Sequence, residues 1–286
     1  MSSEHEFLDI PGDEHIVPFP NAAAVIMQHA REFPERAALV FKDARYTYRD
    51  ILEQCQKTII PDRDIRISLK DPEHDLLLII LLLYHGKVFH LDLKAATNIR
   101  PENLPQREVT ENERELPFVR LDDPALILKG HYRFTQYNLL VAAQAAGNTF
   151  KLFRPGDAVC SLPLNSMTDL CFGILAPLYF AKSLRFDRPD PAGEVLKGTA
   201  QYAYAGLTAP SIPLDNKELL RDAAILFKAR REAFSSPVSF YIEEEIPYAA
   251  GLTPVTNNEG DPLSFLGAEM EKKNDSWIIR GHCVGI

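Results

Sequence analysis

Residues 76–83 read LLLIILLL, eight consecutive apolar positions with no polar face. Pro72 suits the first position of a helix, and Glu73 and Asp75 suit the positive end of its dipole. Gly86 is placed to end it. A helix that is apolar all round must be covered on every side. This one predicts a buried helix inside a layered protein, not one lying on a surface. Eight residues are far short of the ~20 needed to cross a bilayer.

The flanking segments indicate what covers it. Ile65–Leu69 and Val88–Leu91 read as strands on either side, and a strand-helix-strand order implies a parallel sheet with a right-handed crossover. Upstream, Asn21 can cap a helix to about Phe33, with Val25, Ile26, His29 and Phe33 on one side. Ala38–Phe41 and Arg45–Tyr48 read as strands around a turn at Lys42, Asp43 and Ala44, followed by a helix to Lys57. Residues 95–118 are polar and punctuated by proline, and read as a linker. The second half repeats the pattern. Strands are expected at Ala125–Leu128, Asp157–Leu162 and Ser183–Phe186, and helices at Gln136–Ala146 and Thr168–Phe180. Leu219–Phe234 mixes helical and extended apolar runs. The last 25 residues alternate like a small antiparallel sheet, with Trp277, Ile278 and Ile279 in one strand. The fold class is α/β, with one subdomain over 1–118 and a second, ending in a small β region, over 119–286.

Charge and cysteine usage exclude several classes. The net charge is −9 and Arg230-Arg231 is the only adjacent Arg pair, which argues against nucleic-acid binding. The N-terminus lacks a signal peptide's basic start and apolar segment, so a cytoplasmic protein without membrane attachment is expected. Cys55, Cys160, Cys171 and Cys283 form no CxxC pair and read as buried free thiols. No zinc, Rossmann, Walker or serine-hydrolase pattern is present.

Residues 121–145, LDDPALILKGHYRFTQYNLLVAAQA, resemble a stretch of the adenylate-forming enzymes, a superfamily of acyl- and aryl-CoA synthetases, adenylation domains and luciferases. Asp122, Asp123, Ala125, Leu126 and Ile127 match its strand, and Asn138, Leu139 and Leu140 match its helix. The resemblance continues at Phe33–Val40, at Tyr46–Ile51, across His74–Leu93, at Leu162-Pro163-Leu164, and at Pro262–Glu269 through Trp277–Gly281. Each match is weak alone; their correct order makes the set specific. In style the chain is nearest to o-succinylbenzoate-CoA ligases. It implies the fold of that superfamily's N-terminal domain, with the C-terminal domain and its catalytic Lys absent.

The departures fall on the chemistry. Between the matched strand and helix the family carries a Ser/Thr/Gly-rich phosphate loop; here only Leu128, Lys129 and Gly130 precede His131. Phosphates are held by consecutive backbone N–H groups, hydroxyls and a Lys, and adenylation needs charge stabilisation at the α-phosphate. Ser166 stands where the family often has His. The adenine-side motif fits Gly251-Leu252-Thr253, with Pro254 replacing its Glu, or else Tyr241 to Glu245; the spacing to Pro262 favours the first. The resemblance therefore implies no catalytic residue, no cofactor and no metal site. It implies a non-catalytic binding or scaffolding protein whose ligand is an acyl or aryl acid, a carrier protein or a partner enzyme. The alternative is an active ATP-dependent acid ligase with a rebuilt site or a partner-supplied C-terminal domain. Lys129, Ser166, Gly206, Gly251 and Thr253 map to the rim of the family's cleft and form the candidate ligand site.

Four other features have plainer readings. Lys129-Gly130 reads first as a solvated turn, second as a remnant of the loop. His131 is pocket lining or a turn residue. Glu243-Glu244-Glu245 reads as a solvated acidic loop before a metal site. His282 and Cys283 would face opposite sides of a strand.

Overall fold

A computed structural model describes residues 17–92, 94–109, 117–128, 130, 132–149, 152–160, 164 and 167–188. It also describes strands at 202–205, 224–228, 240–241, 255–256, 262–263, 268–273 and 276–281. The first strands, β1 (Ala37–Val40) and β2 (Arg45–Thr47), form the expected antiparallel pair. The buried helix α3 (Pro72–Tyr84) connects β3 (Arg66–Ile67) to β4 (Phe89–Leu91), which run parallel. Every residue from Leu76 to Leu83 is buried, as an all-apolar helix requires. Gly86 ends the turn with φ +63°, the left-handed conformation that favours glycine.

β4 pairs in parallel with β5 (Pro124–Leu128), and β5 pairs antiparallel with β6 (Tyr132–Thr135). This gives a four-stranded sheet in the order β3-β4-β5-β6. A nine-stranded sheet runs β13-β12-β11-β10-β9-β7-β8-β1-β2. Its further strands are β7 (Ala158–Cys160), β8 (Leu184–Arg185), β9 (Tyr202–Ala205), β10 (Ala224–Lys228), β11 (Phe240–Tyr241), β12 (Val255–Thr256) and β13 (Pro262–Leu263). Its central strands, β1 and β7 to β11, are parallel to one another. β14 (Ala268–Lys273) and β15 (Ser276–Gly281) form a separate antiparallel pair, the small terminal β region. Both larger sheets take strands from either side of residues 95–118, so sheet membership does not follow the order of the chain.

Local chemistry sets the helix starts. Asn21 caps α1 (Ala22–Glu32): its Oδ1 accepts from Ala24 N at 2.9 Å while its Nδ2 donates to Val119 O at 3.0 Å. Thr47 and Asp50 form a reciprocal capping box at α2 (Tyr48–Lys57). Thr135 and Asn138 cap α4 (Gln136–Thr149) in the same reciprocal way.

The face expected on α1 is corrected at one end. Ala23, Val25, His29 and Ala30 are buried, but Phe33 is 39% exposed and lies under the Arg36 guanidinium at 5.0 Å. Phe33 is the C-cap, where the backbone leaves the helix and turns the ring off the apolar stripe. The helix expected over Thr168–Phe180 is also corrected. It divides into α5 (Met167–Leu170), a π-helical turn at Cys171–Leu175 and α6 (Ala176–Tyr179). Pro177 has no N–H to give Gly173, and the ladder widens by one residue just before it, with Ala176 N donating to Cys171 O. Cys55, Cys160 and Cys171 are buried, with no disulfide among the described residues; Cys283 lies outside them.

Candidate functional site

In an open α/β sheet, ligands bind beyond the carboxyl ends of the parallel strands. In the four-stranded sheet those ends are Ile67, Leu91 and Leu128. At the third, the chain closes directly into a hairpin. Leu128 pairs with Tyr132, so only residues 129, 130 and 131 join β5 to β6. Gly130 has φ +77°, and a Cβ there would meet nothing within 4 Å. Glycine is favoured at this turn by backbone conformation, not by crowding. β6 (Tyr132–Thr135) is not among the strands expected from the sequence. Its alternation of Tyr132 and Phe134 with Arg133 and Thr135 was the available signal.

Beside the first two ends lies a hydrogen-bonded knot around Asp75, which is 1% exposed. Thr97 Oγ1 donates to Asp75 Oδ1 at 2.6 Å, and Asp71 N donates to Asp75 Oδ2 at 3.2 Å. Ser68 Oγ lies 3.1 Å from Thr97 Oγ1, and Ser68 N donates to the same oxygen at 3.0 Å. Between Ser68 and Lys70, buried Leu69 takes φ +62°, which few non-glycine residues adopt. The knot fastens the loops after β3 and β4 to the start of α3. Ser68 Oγ is engaged with the Asp75 carboxylate and the Thr97 hydroxyl, and the cluster holds these loops together.

Outside the knot is a charge-balanced rim. His74 Nδ1 lies 3.0 Å from Asp71 Oδ2, and Arg100 lies 3.5 Å from both Asp71 and Glu102. Asp71 raises the His74 pKa, an effect opposed by partial burial.

The five residues expected at the cleft rim, Lys129, Ser166, Gly206, Gly251 and Thr253, all lie outside the described residues, as do His131, Glu243–Glu245, His282 and Cys283. The neighbouring elements are described. Lys129 follows β5 in the four-stranded sheet, Gly206 follows β9 in the nine-stranded sheet, and Ser166 directly precedes α5. Among the described residues no group of three or more His, Cys, Asp or Glu is placed to hold a metal ion.

Two further features were not read from the sequence. Lys182 is buried at the amino end of β8, donates to Arg154 O, and has its pKa lowered to about 8, chiefly by burial and then by Arg36. The second is a cavity of about 70 Å³ among the helices, lined by apolar side chains together with His29, Tyr48, Gln136 and Tyr179. The only signal for it was a lone His on an apolar helix face.

No protein-family model matches the sequence, and no curated protein matches it. Solved structures do match. The Klebsiella oxytoca NpsA N-terminal subdomain in complex with 3-hydroxyanthranilyl-AMSN aligns with TM-score 0.59 and 14% identity, over 97% of this chain and 89% of that one. Unliganded o-succinylbenzoate coenzyme A synthetase (MenE) from Bacillus subtilis aligns with TM-score 0.68 and 13% identity, over 93% of this chain and 74% of that one. The same enzyme with ATP and magnesium aligns with TM-score 0.62 and 12% identity, over 93% and 89%. At such identities the likeness is one of fold, and the chain has the α/β fold of the N-terminal domain of adenylate-forming enzymes.

Proposed function

We propose that this chain is a degenerate adenylate-forming domain that works by binding or scaffolding and does not activate acids with ATP. The observation that supports this most is the β5–β6 hairpin, in which three residues join paired Leu128 and Tyr132. A phosphate cradle needs several consecutive N–H groups turned inward, and removing even one donor that meets developing charge lowers an enzyme's rate by ~10²–10³-fold. A three-residue turn between paired strands leaves few such groups. The reading takes an acyl or aryl acid, a carrier protein or a partner enzyme as the bound species, at the cleft rim near Lys129, Ser166, Gly206, Gly251 and Thr253. It places the protein in the cytoplasm, where the buried thiols of Cys55, Cys160 and Cys171 stay reduced. No described helix is long and apolar enough to cross a membrane.

Calorimetry with MgATP, paired with acid-dependent pyrophosphate release across a panel of acyl and aryl acids, tests the reading. It expects no tight ATP binding and no acid-dependent release. Micromolar ATP affinity with acid-dependent release would overturn it in favour of a working ligase with a rebuilt site. Pull-down with wild type, Gly206→Trp and Gly251→Trp tests the location: loss of a partner in folded variants supports the rim, and retention of every partner removes it.

A further inference from the structure

The helix-lined cavity stands apart from the strand ends, and what it can hold does not depend on the reading above. Around it α1, α2 and α3 from the first half of the chain meet α4 and α6 from the second. Its volume is about 70 Å³. One water needs ~10–15 Å³ and a cavity of ~150 Å³ holds benzene, so by proportion there is room for roughly three non-hydrogen atoms.

The wall decides what those atoms can be. Among the described residues it is mostly aliphatic, with Val25, Leu139, Leu140 and Leu178 prominent, and it carries no charged side chain. Four lining side chains have polar atoms, and these are engaged elsewhere or shut off. Tyr48 Oη donates to Lys182 O at 2.8 Å. Gln136 Nε2 donates to Leu83 O at 3.0 Å while its Oε1 accepts from Ala22 N at 3.2 Å. His29 Nε2 lies 2.9 Å from Tyr179 O. His29 Nδ1 and the Tyr179 hydroxyl are buried from solvent, so neither offers a contact to a molecule in the cavity.

A buried water needs about two to four polar partners, and this wall supplies few. An apolar guest needs none. It gains by leaving water and by the dispersion contacts that the lining of an empty cavity forgoes. We propose that the cavity binds a small uncharged hydrocarbon, of about the size of propane, held by packing alone. Because the wall joins helices from both halves of the chain, the guest also tightens their packing against one another.

The test follows the methyl groups of the full chain by solution NMR while propane, xenon or ethanol is added. Propane and xenon are expected to bind saturably and to shift the methyls of Val25, Leu139, Leu140 and Leu178. Ile67 and Leu91, in the four-stranded sheet, should stay unmoved. Ethanol has as many non-hydrogen atoms as propane but would bury a hydroxyl without a partner, so it should bind at least about fivefold more weakly. Propane should also raise the melting temperature, because it binds the folded state alone. Ala143→Leu, which puts a larger side chain on the buried wall, should abolish saturable binding while the protein stays folded. If Ala143→Leu does not fold, the pattern of methyl shifts in the wild type decides. No saturable shift would show that the cavity is closed or filled by water and would overturn the proposal. Shifts as large at Ile67 and Leu91, ethanol affinity equal to that of propane, or unchanged propane affinity in folded Ala143→Leu would overturn it as well.

Discussion

Gly147 on α4 lies so close to Phe180 that a Cβ added there would stand 1.9 Å from the ring's Cε2 and 2.3 Å from Cδ2. Glycine is needed for space, because α4 packs directly on α6. Gly147→Ala should therefore lower stability by about 1–3 kcal/mol through overpacking, although alanine is the better helix former. Adding Phe180→Leu should recover part of the loss. Urea unfolding of the two single variants and the double variant gives the coupling; strict additivity would show that the ring simply moves aside.

Leu78 is fully buried in the middle of α3. Leu78→Ala should cost about 2–5 kcal/mol, by lost transfer energy and the cavity left behind. Leu78→Asp, which buries a charge with no partner, should abolish soluble expression. An unchanged melting temperature in either would place the helix at the surface.

Gly130 shows the opposite case from Gly147, with open space and a left-handed backbone. Gly130→Ala should cost about 1–2 kcal/mol and Gly130→Asn less, since Asn visits that conformation more readily. Denaturant midpoints rank the two. If Ala is harmless, the turn adopts another conformation and the hairpin is looser than the Leu128–Tyr132 pairing implies.

Acid should destabilise the fold below neutrality. His29 and His85 both have pKa values lowered, first by burial, and His85 Nε2 sits 2.7 Å from Cys55 O. Below the unfolded value of ~6.5 the unfolded chain binds more protons than the folded one, so stability falls with pH until each folded pKa is passed. His74 runs the other way: its raised pKa gives stability that is present below ~6.5 and lost as pH rises through the folded value. Its pair with Asp71 is partly exposed and hence weak. Melting temperature between about pH 7.5 and about pH 5 should fall. The fall should flatten in His29→Leu and in His85→Gln, which keeps a donor for Cys55 O. An unaltered slope in both would assign the acid sensitivity to other groups.

Much of the frame was legible because it depends on local signals. Asn21, Thr47 and Gly86 punctuate helices by their own side chains or backbone, and the run from Leu76 has only one way to be satisfied. The likeness in fold to o-succinylbenzoate coenzyme A synthetase matches the resemblance carried by ordered, individually weak motifs. What escaped was set by distant partners. β6 exists because β5 offers it an edge. The π-turn needs both Pro177 and the packing of α4. The cavity joins His29 to the Tyr179 carbonyl, 150 residues away, and no window along the chain contains both. The expected cleft residues lie outside the described residues, so the strands β5 and β9 that lead to two of them are the part of that site in view.

The pairing of β1 with β8 sets a timetable for a chain made from its N-terminus. Arg36, just before β1, reaches Ala181 O, just before β8, across 145 residues. At ~5–20 residues per second on a ribosome, β1 waits on the order of ten seconds for its inner neighbour. Until then it has only β2 beside it, and its other edge is open to any strand that passes. Expression yield should therefore depend on how quickly synthesis crosses the middle third, and slow codons placed there should send more of the chain into aggregates.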